Sequence, residues 1–448
     1  MKKFGLIGHP LGHSLSPLIH QRIMELSGID GTYTLFDIPP EEFDAAIPRL
    51  LKDLDGLNCT IPHKRALLPH LKSLDTCASV CGAVNTIFQG RGYNTDTEGF
   101  LSAGIPLAGQ DVLLLGAGGS AYMMAAACVN AGARSLEIRA RHASRSIELL
   151  DHLAQTFPDH HTLVRLDSED APPAPYSVIL NATPLGMWPH CGEVPCDFSL
   201  LRPGVSVFDA IYNPTPTRLL LNARHRGAQA TGGLRMLLRQ AMAAQHIWNP
   251  EVKFDDAAIE RTVLPELIGE LFRHFPIKIL VTGFMGSGKS TIAQRLATHL
   301  GIGCVDLDLE IERFACSPIE KIFEKSGEKA FRMLETLVAE STLRHGGSAV
   351  VAAGGGLPAS PENRKMIRST NTLVVNLDAE FEPLWQRVDA DTHNRRPLAA
   401  SRDKAQALYE KRRPIYQEFC DANFNANQEP EALATEIAAV LTDIGRTT

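Results

Sequence analysis

The sequence lacks the features that would place the protein in a membrane, on a nucleic acid or around a structural metal. Among its 448 residues, no apolar run approaches the roughly 20 residues that a membrane-spanning helix needs. The formal net charge is −7, whereas nucleic-acid-binding proteins usually carry clustered lysines and arginines. The 16 histidines show no HExxH spacing, and the nine cysteines form no zinc-ligand pattern. We therefore expect small-molecule partners and no membrane, nucleic acid or structural metal.

Two further absences bear on the cellular compartment. The cysteine count is odd, and the only close pairs are Cys77 with Cys81 and Cys191 with Cys196, so reduced thiols are expected. The opening MKKFGLIGHP carries two lysines but an apolar stretch too short for a signal peptide. Both observations favour a cytoplasmic protein.

Strands and helices alternate along most of the chain, which is typical of a doubly wound α/β fold. We predict a helix at 16–26, and strands at 4–8, 32–38, 178–184, 205–212, 349–356 and 372–377, with a new α/β unit opening at 278–286. Between Asn249 and Pro276 the pattern is helical and holds no catalytic motif, which indicates a connector. The length suits two to four domains.

Two glycine-rich loops of different design predict two phosphate-binding sites. GAGGSA has the G-x-G-x-x-A spacing of a dinucleotide turn, which places a pyrophosphate at a helix N-terminus. Its predicted contact residues are Gly116, Ala117, Gly118, Gly119, Ser120 and Ala121. GFMGSGKS has P-loop spacing, with a lysine for the outer phosphates and a hydroxyl for Mg²⁺. Its predicted contact residues are Gly286, Ser287, Gly288, Lys289, Ser290 and Thr291.

The segment EIRARHASR favours NADP over NAD as the dinucleotide. No acidic residue ends this strand to bind a ribose 2′-hydroxyl, and Arg139, Arg141 and Arg145 are close by. Guanidinium groups bind a 2′-phosphate in a bidentate manner. A solvated basic loop is the alternative interpretation.

Polar motifs surround the first glycine loop. They are GHSLSP (12–17), NCTIPHK (58–64), AVNT (83–86), GYNTDTEGF (92–100), NATPLGM (181–187), DAIYNPTPT (209–217) and GGLRMLLRQA (232–241). In this order they resemble the shikimate dehydrogenases over roughly residues 1–255. The family has two lobes, an α/β substrate lobe and a Rossmann lobe for NADP.

The resemblance implies the substrate contacts and the proton donor. Ser14 and Ser16 would bind the substrate carboxylate. The ring hydroxyls would be held by Thr60, Asn85, Asp96 and Gln240, with Tyr212 nearby. Lys64, paired with Asp96, would donate and accept the proton, because an ammonium beside a carbonyl stabilises a developing alkoxide. Outside the motif, a surface lysine would be the default interpretation of Lys64.

The same resemblance implies the remaining NADP contacts. Arg141 and Arg145 would bind the 2′-phosphate. The residues flanking the nicotinamide would be Ala210, Gly233 and Met236. The usual Asn-Arg-Thr of the family is Ala140-Arg141-His142 here, so the arginine is kept while its neighbours differ.

Motifs after the P-loop indicate the phosphate acceptor. They are CVDLDLEIE (304–312), IEKIFEKSGEKAFRMLE (319–335), AAGGGL (352–357), NRRPL (394–398) and RRPIY (412–416). In this order they resemble shikimate kinase over roughly residues 277–448.

The second resemblance implies roles that suit phosphoryl transfer. Ser290 would coordinate Mg²⁺ with support from Asp306, and Asp308 would orient the acceptor hydroxyl. The substrate carboxylate would be held by Arg332 and Arg412 with the backbone of Gly355, and Arg396 would close over the phosphates. Two structural alternatives remain: Asp308 as a helix cap, and Arg332 paired with Glu335 on a helix surface.

Together the resemblances imply a bifunctional enzyme that uses NADP(H), ATP and Mg²⁺. The expected segments are a substrate-binding domain at 1–102 with about 236–255, a Rossmann domain at 103–235, a helical linker at 256–276 and a kinase domain at 277–448. The enzyme would reduce 3-dehydroshikimate with NADPH and phosphorylate the resulting shikimate. The alternatives are a quinate-accepting or NAD-preferring dehydrogenase fused to another small-molecule kinase, and a metabolite-sensing regulator.

Overall fold

The computed structural model describes residues 1–12, 14–166, 175–390 and 401–442. The chain forms two compact units. The first consists of Met1–Pro184, Pro195–Tyr212 and Gly227–Ile268. The second consists of Leu185–Val194, Asn213–Arg226 and Gly269–Thr448.

The first sheet of the first unit has the strand order β2-β1-β3-β5-β6-β4. Its strands are β1 (Lys2–Gly8), β2 (Gly31–Asp37), β3 (Gly56–Cys59), β4 (Ser73–Leu74), β5 (Thr86–Phe88) and β6 (Arg91–Tyr93). The accompanying helices are α1 (Ser16–Leu26), α2 (Phe43–Asp53), α3 (Thr76–Cys81) and α4 (Thr95–Leu101). Helix α1 has the predicted bounds, starts with a proline in its first turn, and buries Ile19, Ile23 and Met24 on one face.

The second sheet is parallel throughout and has the order β12-β11-β10-β7-β8-β9. Its strands are β7 (Asp111–Leu115), β8 (Ser135–Arg139), β9 (Leu163–Leu166), β10 (Val178–Asn181), β11 (Ser206–Asp209) and β12 (Gln229–Gly232). The helices in this stretch are α5 (Gly119–Asn130), α6 (Ala143–Thr156), α7 (Arg218–His225) and α8 (Gly233–Trp248). The strand order reverses between β7 and β10, which is where doubly wound sheets bind nucleotides.

The sheet of the second unit is also parallel, with the order β14-β15-β13-β16-β17. Its strands are β13 (Lys278–Gly283), β14 (Gly303–Asp306), β15 (Ala349–Ala352), β16 (Thr372–Asp378) and β17 (Ala422–Asn425). The remaining helices are α9 (Asp256–His274), α10 (Lys289–Leu300), α11 (Leu307–Ala315), α12 (Ile319–Arg344), α13 (Pro361–Arg368), α14 (Phe381–Ala390), α15 (Arg402–Phe419) and α16 (Pro430–Thr442). Helix α12 bends at Gly327, whose φ of 77° interrupts the helical backbone.

The predicted α/β class is confirmed, and within the described ranges no helix is long and apolar enough to cross a membrane. All nine cysteines lie in described ranges as free thiols. The proposed domain limits remain predictions. The compact units group the chain differently at two places, because 185–194 and 213–226 lie in the second unit and not with the Rossmann sheet.

Candidate active sites

A lysine–carboxylate pair lies beyond the carboxyl end of β3 in the first unit. Lys64 Nζ donates to Asp96 Oδ2 at 2.5 Å, and Asn85 Nδ2 donates to Asp96 Oδ1 at 2.9 Å. The two charged side chains are only 22% and 17% exposed. The Asp96 carboxylate holds the largely buried amine of Lys64 in place, so Lys64 is not a solvated surface lysine.

A buried polar network, which the sequence analysis did not assign, supports this pair. Asn85 Oδ1 accepts from the backbone N–H of Thr95, at the start of α4, at 2.8 Å. Asn58 Nδ2 donates to the carbonyl oxygen of Asn85 at 3.1 Å and to Thr86 Oγ1 at 2.9 Å. Tyr33 donates its hydroxyl to Asn58 Oδ1 at 2.8 Å. Asn58 belongs to a recognised motif, whereas nothing in the local sequence indicates a role for Tyr33.

His20 lies at the far end of this network and is only 1% exposed. Its ring stacks on Tyr33 with centroids 4.2 Å apart, and its Nδ1 lies 3.0 Å from Gln245 Nε2. Burial lowers the pKa of His20 to about 3, so the ring is neutral at physiological pH. Burial also raises the pKa of Tyr33, against the opposing effect of its hydrogen bond with Ser16.

We expect His20 to make the first unit acid-sensitive. The unfolded chain binds a proton at His20 below pH 6.5, whereas the folded chain does so only near pH 3. Stability conferred by the neutral ring is therefore present above pH 6.5 and is lost as the pH falls, by about 2 kcal/mol between pH 7 and pH 5. Urea unfolding at both pH values measures the loss.

The variant His20→Gln should remove this part of the pH dependence, whatever its effect on stability at pH 7. The matched control is His161→Gln, because His161 is exposed. An unchanged pH dependence in His20→Gln would contradict the assignment.

Most of the predicted substrate-binding residues of the first unit lie in loops and at the starts of helices. Ser14 and Ser16 are half-buried at the start of α1, where Ser16 N donates to Ser14 Oγ at 3.3 Å. The half-buried Thr60 directly follows β3, and its N–H donates to Ile7 O at 2.9 Å. Tyr212 lies in the loop after β11, where burial raises the pKa of its phenol.

Close packing of two helices places Gln240 near Asp96. Helix α4, which carries Asp96, packs against α8, which carries Gln240. A Cβ atom added at Gly99 of α4 would lie 2.7 Å from the carbonyl oxygen of Met236 and 3.3 Å from Gln240 Cβ. Glycine at position 99 thus permits the close approach of α4 and α8, which carry the predicted ring-hydroxyl contacts Asp96 and Gln240.

The first glycine loop has the geometry of a dinucleotide turn. Gly116 follows β7 directly with φ 107°, and α5 begins at Gly119 with no side-chain cap and no acid in its first turn. A Cβ atom added at Gly118 or Gly119 would meet nothing within 4 Å. Open space beside uncapped N–H groups fits a pyrophosphate.

Two of the residues predicted to flank the nicotinamide, Ala210 and Gly233, directly follow β11 and β12 and lie close together. Ala210 N donates to Asn181 O at 3.0 Å, and a Cβ atom at Gly233 would lie 2.2 Å from Ala210 O. Met236 is partly buried against the same core. This close backbone approach requires glycine at position 233.

The arginine that ends β8 and the two that follow it differ in their contacts. Arg139 donates to Glu137 Oε1 at 2.9 Å and to the Tyr176 hydroxyl at 2.9 Å. Arg141 and Arg145 are exposed at the start of α6, and Arg141 Nε lies 3.3 Å from His142 Nε2. The geometry is compatible with a 2′-phosphate site and also with the solvated loop.

The P-loop of the second unit contains a buried hydroxyl that fits a phosphate. Gly286 and Gly288 adopt φ 79° and 83°, which turns the backbone around the loop. Ser287 Oγ is buried and has no hydrogen-bond partner among the described residues. Lys289, 8% exposed, donates to Phe284 O at 3.0 Å, and Thr291 follows in the first turn of α10. An orphaned hydroxyl, N–H groups and an ammonium suit nucleotide phosphates.

Ser290 and Asp306 form the predicted Mg²⁺ pair. Ser290 Oγ donates to Asp306 Oδ2 at 2.6 Å. A hydroxyl and a carboxylate fit the preference of Mg²⁺ for a few protein oxygens completed by water and phosphate. Asp306 also caps α11, because its Oδ1 accepts from the N–H groups of Asp308 at 3.0 Å and Leu309 at 3.4 Å. The residue that caps α11 is therefore Asp306.

The predicted acceptor site gathers around a glycine turn after β15. A Cβ atom at Gly354 would lie 2.6 Å from Glu335 Oε1 and 3.0 Å from Asp308 Oδ1. One at Gly356 would lie 1.9 Å from Arg332 NH1. Glycine at these positions lets two carboxylates and a guanidinium meet at one backbone turn.

A second arginine completes this group. Arg412, 8% exposed, donates from NH1 to Gly355 O at 3.0 Å, and the Tyr416 hydroxyl donates to the same oxygen. The structure thus brings together every predicted acceptor-site residue in its described part. Arg396 lies outside the described residues.

Glu335 is the main residue that the sequence analysis underrated. Its Oε2 accepts from Arg332 NH1 at 2.6 Å, so the pair named as an alternative does form. However, Glu335 is 0% exposed, and its Oε1 has no hydrogen-bond partner in the described structure. Burial raises the pKa of Glu335, against the lowering effect of Arg332. This is a buried carboxylate that orients a guanidinium, and not a surface ion pair.

We expect Glu335→Gln to raise the KM for shikimate about tenfold, because Arg332 would lose its orienting charge. The KM for ATP should change little. Kinase assays over both substrates measure this split, with Glu328→Gln as the matched control, since Glu328 contacts Arg332 from an exposed position at 3.3–3.4 Å. Equal changes in both KM values would argue against a positioning role.

Comparisons with known proteins agree with both family resemblances. The sequence model of the shikimate dehydrogenase substrate-binding domain matches residues 6–87, and that of shikimate kinase matches residues 285–442. An NADP⁺ shikimate dehydrogenase of Moorella thermoacetica is 40% identical over 254 residues, which is 54% of this chain and 86% of that relative. The chain belongs to the shikimate dehydrogenase family. It carries a shikimate kinase domain in addition, so it is a bifunctional oxidoreductase and kinase.

Solved structures support the dehydrogenase part. The Thermus thermophilus shikimate 5-dehydrogenase, in complex with NADP(H) and shikimate, is 32% identical with a TM-score of 0.51 and covers 58% of this chain and 98% of its own. A 5-ketofructose reductase of Gluconobacter is 28% identical with a TM-score of 0.52, covering 58% and 97%. Because a protein with a different substrate shares the fold, the substrate has to be argued from the site.

Proposed function

We propose that the N-terminal part reduces 3-dehydroshikimate to shikimate with NADPH, and that the C-terminal part phosphorylates the shikimate 3-hydroxyl with MgATP. The observation that carries the proposal is the combination of the Lys64–Asp96–Asn85 cluster with the Asp308–Arg332–Arg412 cluster. Both suit a small carboxylate-bearing polyol. The two reactions are consecutive, and we place them in the cytoplasm.

In the reduction, the first glycine loop would hold NADPH, whose chemistry would be the supply of a hydride for the substrate carbonyl carbon. Lys64 donates a proton to the carbonyl oxygen as negative charge develops there. Asp96 orients the Lys64 amine through its Oδ2, and Asn85 fixes the other oxygen of that carboxylate. Ser14 and Ser16 bind the substrate carboxylate, so that the ring presents one face to the nicotinamide site.

In the phosphorylation, the P-loop would hold MgATP, which would supply the phosphoryl group. Asp308 accepts a hydrogen bond from the attacking hydroxyl and orients it. Arg332 and Arg412 bind the substrate carboxylate, and Lys289 stabilises the negative charge of the outer phosphates. Ser290 and Asp306 would hold the metal ion.

A coupled assay tests the whole proposal. Protein supplied with 3-dehydroshikimate, NADPH and MgATP should form shikimate 3-phosphate, followed by mass spectrometry. Omitting MgATP should stop the reaction at shikimate, and omitting NADPH should leave the starting compound unchanged. Folded protein that converts neither compound would overturn the proposal.

The alternative substrate pairing rests on the altered segment at Ala140–His142 and on the shared fold of the ketofructose reductase. It would combine quinate acceptance or NAD preference with another kinase. Steady-state rates for shikimate and quinate, each with NADP⁺ and NAD⁺, decide between the two. We expect shikimate with NADP⁺ to have the highest kcat/KM.

A further inference from the structure

Asp421 of the second unit is a fully buried carboxylate with an unusual set of donors. Its Oδ1 accepts from Arg218 Nε at 2.8 Å and from Asn222 Nδ2 at 3.2 Å. Its Oδ2 accepts from Arg368 NH1 at 2.8 Å and from the N–H of Val374 at 2.9 Å. Burying a carboxylate is costly unless such donors compensate for the lost water. Asp421 therefore depends on all of these partners.

Two of the donors come from the dehydrogenase half of the sequence. Arg218 and Asn222 belong to α7, between strands β11 and β12 of the Rossmann sheet, yet α7 lies in the second compact unit. Desolvation lowers the pKa of Arg218, and the charge of Asp421 opposes that effect. The N-terminal half thus supplies an arginine to a buried acid of the kinase half.

The same contact covers one edge of the kinase sheet. Asp421 directly precedes β17, the edge strand of that sheet, and α7 packs against β17. Arg224, also on α7, donates from NH1 to the carbonyl oxygen of Val440 in the last turn of α16 at 2.9 Å. A cation at this end of a helix satisfies a terminal carbonyl. An uncovered edge strand would be open to pairing with other chains.

The loop 185–194 extends this contact. Arg218 NH1 donates to Gly192 O at 2.9 Å, and a Cβ atom at Gly192 would lie 2.2 Å from Arg368 O. Trp188 Nε1 donates to Pro276 O at 3.3 Å, and its ring packs edge-on against Phe275. The contact therefore combines charge pairing, a steric requirement for glycine and aromatic packing.

We propose that α7 and the loop 185–194 form an intramolecular docking surface for the edge of the kinase sheet, so that the kinase part of this chain needs the dehydrogenase half for its stability. The segment that occupies this docking surface is the edge strand β17 together with Asp421, which directly precedes it. This inference concerns neither substrate and is independent of the proposed reactions.

The test is Arg218→Gln in the full-length chain, read as the kinase activity that remains after graded heating. The variant takes from Asp421 one of its two guanidinium partners while Arg368 remains, and a lost hydrogen bond to a buried charge should lower the temperature of half-inactivation of the kinase by roughly 3–12 °C. The matched control is Arg202→Gln, because Arg202 contacts the backbone of Tyr176 within the first unit. This control should leave the heat resistance of the kinase unchanged.

A double-mutant cycle with Asp421→Asn establishes that the effect passes through this carboxylate. In the Asp421→Asn background, Arg218→Gln should lower the half-inactivation temperature by less than half as much as it does alone. If Arg218→Gln yields no folded protein, Asn222→Ala provides the milder variant, with a fall of a few degrees. Unchanged kinase heat resistance in these variants, or additive effects in the cycle, would overturn the proposal.

Discussion

Lys64→Ala should lower the kcat of shikimate oxidation and 3-dehydroshikimate reduction by roughly 10³-fold, because the reaction loses its proton donor and a charge beside the developing alkoxide. NADPH binding should be almost unchanged, since the glycine loop lies elsewhere in the unit. Phosphorylation of added shikimate should also persist. Steady-state kinetics of both activities and a fluorescence titration with NADPH measure the three quantities.

Lys52→Ala is the matched control for this variant. Lys52 is exposed near the end of α2, in the same part of the first unit as Lys64. Its removal should change neither activity. Near-normal hydride transfer in Lys64→Ala would remove Lys64 from the mechanism, even though Asp96 lies 2.5 Å from its amine.

Asp308→Asn should lower the kcat of the kinase by about 10²–10³-fold, because the neutral amide neither orients nor polarises the attacking hydroxyl as a carboxylate does. The dehydrogenase should keep its activity. The measurement is the initial rate of shikimate 3-phosphate formation, beside the rate of NADPH oxidation in the same preparation.

Asp389→Asn serves as the control, because Asp389 is an exposed residue at the end of α14. If the two activities fell together in Asp308→Asn, the division into two catalytic parts would be wrong. That outcome is distinct from the heat-resistance effect expected of Arg218→Gln, which leaves the reacting groups of both sites in place.

The phosphate sites could be recognised from the sequence because their chemistry is local. In GAGGSA and GFMGSGKS the donors are backbone N–H groups of adjacent residues, so spacing alone specifies them. The role of Asp306 beside Ser290, at the starts of α11 and α10, came from the resemblance to shikimate kinase. The pairing of Lys64 with Asp96 was accessible only through the resemblance, since 32 residues separate them.

Tertiary packing determines the supporting residues, which the motifs did not reveal. Tyr33 and His20 have ordinary sequence surroundings, and their roles follow from a polar network that the sheet encloses. Glu335 could be paired with Arg332 from its helical spacing, but that spacing could not indicate burial. The burial of Glu335 depends on the backbone turn that faces its helix. Here Gly354 and Gly356 leave space for the side chains of that helix.

By itself the sequence determined the two nucleotide loops, the α/β alternation and the kinds of side chain available to each reaction, because these properties depend on near neighbours along the chain. Only the tertiary structure decided that Asp421 is neutralised by arginines 203 and 53 residues away. The free-energy cost of burying a charge depends on the groups that surround it. Here those groups come from segments far apart along the chain, and no local pattern in the sequence indicates that they meet.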